Sequence, residues 1–350
     1  MAQMMDGNLV VTEHPRQHYR TVFNRKTGFF ARKEDAGWAE PMWAEDGPEL
    51  IDLSITSYCE RKCSFCYRGA NNESYVTMSL DDVVHVVEQA KACGTLQIAL
   101  GGGNPNQHPQ FVEILRLIRE TGIVPSYTTN GDGLTDEVLE ATAKYCGAMA
   151  ISVYEPYSVR HYEQLLNRVK ERRIKVNLHA IMRSDNIGLW TGWLENPPSL
   201  FDYANAIIFL NYKPIQSGTS HLMVKDEETL KRFFMAANTC KGVKIGFDSC
   251  SMSGIVQWMT IPRMFLEPCE AAKFSCFISE DMKMYPCSFM AGNMKGADLR
   301  QQTLVGIWQN HKSFVEFRES KAMGKCSCCK HWNFCNGGCK FLPEINFCNL

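Results

Sequence analysis

Three cysteines fall within eight residues, Cys59-Glu60-Arg61-Lys62-Cys63-Ser64-Phe65-Cys66, directly after a β-branched run. Thiolates are soft ligands that suit iron–sulfur clusters and zinc. Three of them can hold three irons of a [4Fe–4S] cubane and leave the fourth open, so that a small molecule chelates that iron and receives an electron directly. A fourth cysteine would favour simple electron transfer. Structural zinc normally takes four protein ligands and no fourth stands nearby, so an open cluster accounts for the spacing better than zinc does.

A second set closes the chain: Cys326-x2-Cys329-x5-Cys335-x3-Cys339 followed by Cys348, with Cys269, Cys276 and Cys287 upstream. These thiols suffice for two fully ligated cubanes. Zinc knuckles also use C-x2-C pairs, so spacing alone leaves both metals open. Between the two sets lies LGGGNPNQHP from Leu100, where Gly101, Gly102 and Gly103 allow close backbone approach and the next helix offers its N-terminus to a carboxylate.

Something must position these groups. From about Leu50 to Phe247, short β-branched runs alternate with amphipathic segments, the pattern of βα units around parallel strands. Strands are predicted at IDLSIT from Ile51, LQIAL from Leu96, IVPSYTT from Ile123, AMAISV from Ala148, IKVNLHAIM from Ile174, AIIFL from Ala206 and VKIGF from Val243. Ser79 reads as the N-cap of a helix with Val83, Val84, Val87 and Ala90 on one stripe. A second helix is predicted near His108-Pro109 with Phe111, Ile114, Leu115 and Ile118 repeating, and Thr135 caps a third. About six βα units predict an α/β fold, an open partial (β/α)6 barrel with its site at the strand C-terminal ends. After about Ser249 the pattern breaks, and the prediction there is an irregular cysteine-rich domain held by metal in place of an apolar core. The expected divisions are 1–48 as an extension, 49–248 as the barrel and 249–350 as the cluster domain.

The 350 residues are 45% hydrophobic and 21% charged with a net charge of -1, so neither nucleic acid nor an acidic membrane is an expected partner. No signal peptide opens the chain and no run approaches the roughly 18 apolar residues of a spanning helix, so a cytoplasmic protein is expected. In that setting, short-spaced members of the sixteen cysteines point to metal before disulfides.

Cys59-x3-Cys63-x-Phe65-Cys66 resembles the signature of the radical S-adenosylmethionine superfamily, whose pattern C-x3-C-x-Φ-C has an aromatic Φ. The resemblance implies that the open iron binds the methionine amino and carboxylate groups, that Phe65 packs near the adenine, and that cofactor cleavage yields a 5′-deoxyadenosyl radical. It implies that Gly101, Gly102 and Gly103 form the methionine-binding turn, with Asn104 where the family usually has Glu, and that Asn130 and Ser152 contact the cofactor. The C-terminal spacing is similar to the SPASM extension of peptide- and protein-modifying members. By that match Cys269, Cys276, Cys287 and Cys339 form one auxiliary [4Fe–4S] cluster and Cys326, Cys329, Cys335 and Cys348 another, three clusters in all. Met282 stands where the family has a glycine before Cys287, which puts the hairpin turn in question.

The implied activity is hydrogen abstraction from a carbon of a ribosomally made peptide, installing a crosslink or other modification, with an electron donor such as flavodoxin or ferredoxin. The alternative is a radical dehydrogenase or decarboxylase acting on a sugar or nucleoside. Ser288 stands after Cys287 where sulfatase maturases of the family carry an Asp base, which argues against formylglycine formation. The segment before Cys59 is too short for the whole leader-binding domain that many peptide maturases carry. His179 reads as a structural strand histidine more readily than a catalytic one. Cys93, Cys146, Cys240, Cys250 and Cys328 read as inert small hydrophobes more readily than as reactive groups, Cys250 being the one for which contact with substrate is the alternative.

Overall fold

The computed structural model describes residues 2–5, 8–154, 159–320, 326 and 328–349. Four strands come first, β1 (Ala2–Met5), β2 (Leu9–His14), β3 (Tyr19–Asn24) and β4 (Phe30–Glu34), paired as an antiparallel meander. The first 48 residues, too few for a predicted domain, thus hold a small sheet. Arg32 on β4 fixes it to the rest of the chain by ion pairs to Glu49 (2.6 Å) and Glu270 (2.7 Å).

The seven expected strands follow, each starting within two residues of its predicted position: β5 (Leu50–Thr56), β6 (Gln97–Gly102), β7 (Val124–Thr129), β8 (Ala148–Val153), β9 (Val176–Met182), β10 (Ala206–Asn211) and β11 (Lys244–Phe247). Consecutive strands pair in parallel, and six helices cross between them: α1 (Leu80–Ala92), α2 (Phe111–Glu120), α3 (Asp136–Tyr145), α4 (Val159–Glu171), α5 (Ile187–Glu195) and α6 (Glu227–Thr239). Local chemistry sets their starts. Ser79 Oγ accepts from Asp82 N at 3.1 Å and Thr135 Oγ1 from Val138 N at 3.2 Å, each satisfying a donor that the helix leaves free. The stripe of α1 is Val83, Val86, Val87 and Ala90, with Val84 only half-buried, while α2 buries all four predicted residues.

The C-terminal third departs from expectation. After α7 (Met252–Trp258), strand β12 (Ser275–Ile278) adds to the far side of β5 in parallel, pairing Cys276 with Ile51, and β13 (Lys283–Tyr285) and β14 (Ala297–Asp298) extend the sheet antiparallel. The order is β11-β10-β9-β8-β7-β6-β5-β12-β13-β14, so the sheet keeps two edges and stays open. Met282 takes the left-handed conformation (φ 66°) at the β12–β13 turn, so the turn forms without its glycine.

Helices α8 (Leu304–Asn310) and α9 (Lys312–Glu319) bury Trp308 and Phe314 completely, in the same core as the barrel helices. The expectation that everything past Ser249 lacks an apolar core is therefore overturned for residues 272–319. The Trp308 indole donates to Ala44 O (2.6 Å), and Arg318 lies 3.7 Å over the Trp43 ring while donating to Ala272 O (2.6 Å). The irregular part is the segment around α10 (Trp332–Cys335), which buries no side chain of its own. Among the described residues, no helix is long and apolar enough to cross a membrane.

Candidate active site

The loop after β5 carries the first thiols, and backbone bonds shape it. Cys59 N donates to Asn71 O (3.1 Å), Gly103 N to Thr56 O (2.7 Å) and Asn104 N to Tyr58 O (2.8 Å), so the glycine turn after β6 lies flat against the cysteine loop. This contact explains two of the three glycines. A Cβ on Gly103 would stand 2.0 Å from Tyr58 O, and one on Gly102, whose φ is 110°, would stand 2.2 Å from Ser54 Oγ. Gly101 has open space instead and faces the cavity. Gly103→Ala is expected to push the cysteine loop outward, costing about 1–3 kcal/mol as overpacking does. The measurement is the denaturation midpoint together with iron retained by the protein.

Cys59, Cys63 and Cys66 line one wall of a cavity of about 980 Å³. Burial holds the Cys59 and Cys63 thiols above the usual range, and repulsion from Cys66 adds to it for both. Arg61 opposes both shifts and is held by a two-pronged pair to Asp132 (2.6 and 2.8 Å). Asn130 Nδ2 donates to Cys59 Sγ (3.5 Å), the kind of bond that steadies a thiolate. Phe65 stands between the Tyr154 ring (5.6 Å) and the Arg183 guanidinium (4.3 Å), while Ser152 lines the cavity beside Tyr154.

Asn104 differs from its expected place against a cofactor ammonium. It is 1% exposed and does not line the cavity. Its Oδ1 accepts from Thr129 Oγ1 (2.9 Å) and Asn130 N (3.2 Å), and its Nδ2 donates to Asp132 O (2.9 Å). A Glu has no donor for the last bond. Asn104 thus holds the β7 turn that carries Asn130 and Asp132.

The strand faces supply the cavity's polar groups. Asp52, on β5, is solvent-accessible inside the cavity, and the protein mass surrounding that cavity raises its carboxyl to about 6. No hydrogen bond or ion pair engages it among the described residues. His179 on β9 faces the same space, and burial lowers it to about 4, so it is neutral at pH 7. Sequence gave Asp52 no distinction, although a carboxylate alternating with Ile51 and Leu53 was the available signal.

The same cavity is lined by Cys250, Cys269 and Cys287, together with the ion pair of Lys213 and Asp248. Cys287 is raised to about 12 by burial and by repulsion from Cys269, and Cys339 repels it too. Cys276 belongs to the cavity lining too, but it pairs with Ile51 in register and is 1% exposed, its side chain in the main core. Near α10, Cys335 is raised to about 11 by burial, with Cys348 and Cys326 adding repulsion. Cys329 Sγ accepts from His331 N (3.4 Å). No group of three His, Cys, Asp or Glu side chains among the described residues is drawn in tightly enough for one metal ion. Ligands of a cubane bind different irons and need not converge so closely.

An open parallel barrel with a three-thiol loop after its first strand defines a class, and profile comparison agrees. The radical SAM superfamily matches residues 53–192, and the iron–sulfur cluster-binding SPASM domain matches residues 269–330. The chain belongs to the radical SAM superfamily and is an enzyme of that superfamily with a SPASM domain. The AdoMet-dependent heme synthase of Methanosarcina barkeri is 23% identical over 350 residues, covering 87% of this chain and 97% of that protein. The mycofactocin maturase MftC of Mycobacterium tuberculosis is 21% identical over 320 residues, covering 84% and 78%. Among solved structures, Streptococcus suis SuiB bound to its precursor peptide SuiA superposes with a TM-score of 0.73 at 15% identity, covering 100% of this chain and 97% of that one. The anSMEcpe enzyme with AdoMet and a peptide gives 0.64 at 15%, covering 86% and 94%. At such identities the likeness is one of fold.

The donor set fits a superfamily cluster: three thiols of one loop lining one cavity, an amide donor on one of them and a glycine with open space in the same lining. When bound, the cluster and S-adenosylmethionine supply one-electron chemistry that makes a carbon radical.

Proposed function

We propose that this enzyme abstracts hydrogen from a carbon of a ribosomally made peptide and leaves a crosslink or other modification there. One observation carries the reading: a single cavity is lined both by Cys59, Cys63 and Cys66 and by a second thiol set, Cys250, Cys269 and Cys287. A substrate in it would share one cavity with the radical source and a second thiol set, a position from which an electron could leave. Two auxiliary [4Fe–4S] clusters are part of the proposal, as is a small flavodoxin- or ferredoxin-type donor.

The chain's own residues have definable parts. Arg61 and Asn130 would steady the first thiolates, Phe65 and Tyr154 would offer rings to the adenine, and Asp52 would take up a proton released by substrate. The cavity's rim carries Phe265, 70% exposed, next to Met264 at 80%, an apolar lip that suits a chain entering from outside. The solved relatives SuiB and anSMEcpe hold peptides, which supports the substrate class.

A second reading, oxidation or decarboxylation of a small molecule, draws support from the relative named for heme synthesis, almost all of whose length is covered. Deuterium separates them. Peptides encoded near the gene, nucleosides, sugars and porphyrins, each deuterated at candidate carbons, are incubated with reductant and S-adenosylmethionine. Transfer of deuterium from a peptide into 5′-deoxyadenosine is expected. Turnover of a small molecule at a rate no peptide approaches overturns the peptide reading and leaves the radical chemistry intact.

A further inference from the structure

Cys276 sits in a strand whose alternation decides where its side chain goes. Neighbouring side chains on a strand point to opposite faces. Cys276 and Ile278 join the main core with Ile51, whereas Phe277 joins a small cluster with Tyr285 and Met290. Cys93, whose charge acts on Cys276, is the C-cap of α1, a helix that crosses between β5 and β6.

Cys250 lies elsewhere. It follows β11 at the barrel mouth, and two side chains tie its turn to the segment that follows Cys339. Asn211 Nδ2 donates both to Cys250 O (3.2 Å) and to Ile345 O (3.0 Å). Phe347 N donates to Ser253 Oγ (2.9 Å). Asn346 closes the loop by accepting from Cys339 N (2.8 Å) and donating to Cys339 O (3.1 Å). The third strand of the arrangement is the Cys287 turn: Lys213, paired with Asp248 two residues before Cys250, has its ammonium 4.7 Å from the Phe289 ring centre.

We propose that Cys250, and not Cys276, completes the thiolate set of Cys269, Cys287 and Cys339 around the first auxiliary cluster. This rests on the reading that the SPASM domain holds such a cluster. Cys250, Cys269 and Cys287 line one cavity, and the bonds through Asn211 and Asn346 bring the Cys339 segment to the Cys250 turn. Lys213 also faces Cys287 and Cys339, so one buried cation serves the thiolates as a counter-charge. A cluster here would be pinned to the barrel itself through β11, placing it on the cavity wall.

The test uses the full-length protein reconstituted anaerobically, with two readouts besides activity. Cys276→Ala is expected to keep the wild-type iron content and the wild-type electron paramagnetic resonance of the reduced protein. Cys250→Ala is expected either to lose about four irons or to keep them with an altered signal from a three-thiolate cluster. Thiol alkylation of the wild-type protein, read by mass spectrometry, needs no variant: Cys250 should be protected with iron and labelled after chelation, while Cys276 stays unlabelled in both. If Cys276→Ala loses iron while Cys250→Ala matches wild type, or Cys250 labels equally with and without iron, the assignment is overturned. A wild-type protein holding only about four irons overturns the auxiliary-cluster reading beneath it.

Discussion

Replacing Cys59, Cys63 and Cys66 together by alanine is expected to remove about four of roughly twelve irons and to abolish 5′-deoxyadenosine formation. The loop's shape does not depend on these side chains: its backbone is held by Asn71, Gly103 and Asn104, and the helices behind it are packed by apolar residues. The fold should therefore survive, with circular dichroism unchanged and the remaining irons still bound near the SPASM thiols. Cys146→Ala is the matched control. Cys146 caps α3 far from the thiol sets, its thiol kept neutral by burial, and its removal should leave iron and cleavage intact. Cofactor cleavage by the triple variant would remove the basis for the site as described.

Asp52→Asn is expected to lower product formation by about 10²-fold or more, the usual contribution of a positioned proton acceptor. Substrate-independent cofactor cleavage should change far less. Stability should move the other way. The folded-state carboxyl is raised to about 6 from an ordinary 3.8, so the folded protein holds the proton more tightly than the unfolded chain does. That contribution is fully present below about pH 4 and is lost as pH rises through 6. At pH 7 the ionised group thus costs stability, and cavity water softens the cost to about 1–2 kcal/mol. Asn carries no charge, so the variant should be more stable than wild type at pH 7.5 and nearly equal to it at pH 4, measured by denaturant midpoints. Equal stability at both pH values, or unchanged product formation, would remove Asp52 from its assigned part. A gain in stability with a loss of function is what an active-site charge predicts.

Much of the barrel was legible because its signals are local. Ser79 and Thr135 cap helices through bonds spanning three residues, and β-branched runs of five to nine residues carry their own conformational preference. The C-terminal third was harder to read. β12 is four residues long, and its place beside β5 depends on partners more than 200 residues away in the chain, which no window of sequence contains. Trp308 and Phe314 belong to short helices whose apolar positions are too few to show a period, so their core was missed.

The site divides along the same line. Sequence by itself determined that a three-thiol loop would follow a strand and that glycines would press against something, because spacing and residue type fix ligand number and backbone freedom. It could not determine what they press against. Only the tertiary structure turned Gly102 and Gly103 onto the cysteine loop, spent the Asn104 amide on the β7 turn and set Asp52 on the cavity wall. It also sent Cys276 into the core while bringing Cys250 toward Cys269 and Cys339. The reason is physical: a side chain's direction is fixed by strand register and its neighbours by packing between distant segments, and neither quantity is contained in the spacing of cysteines.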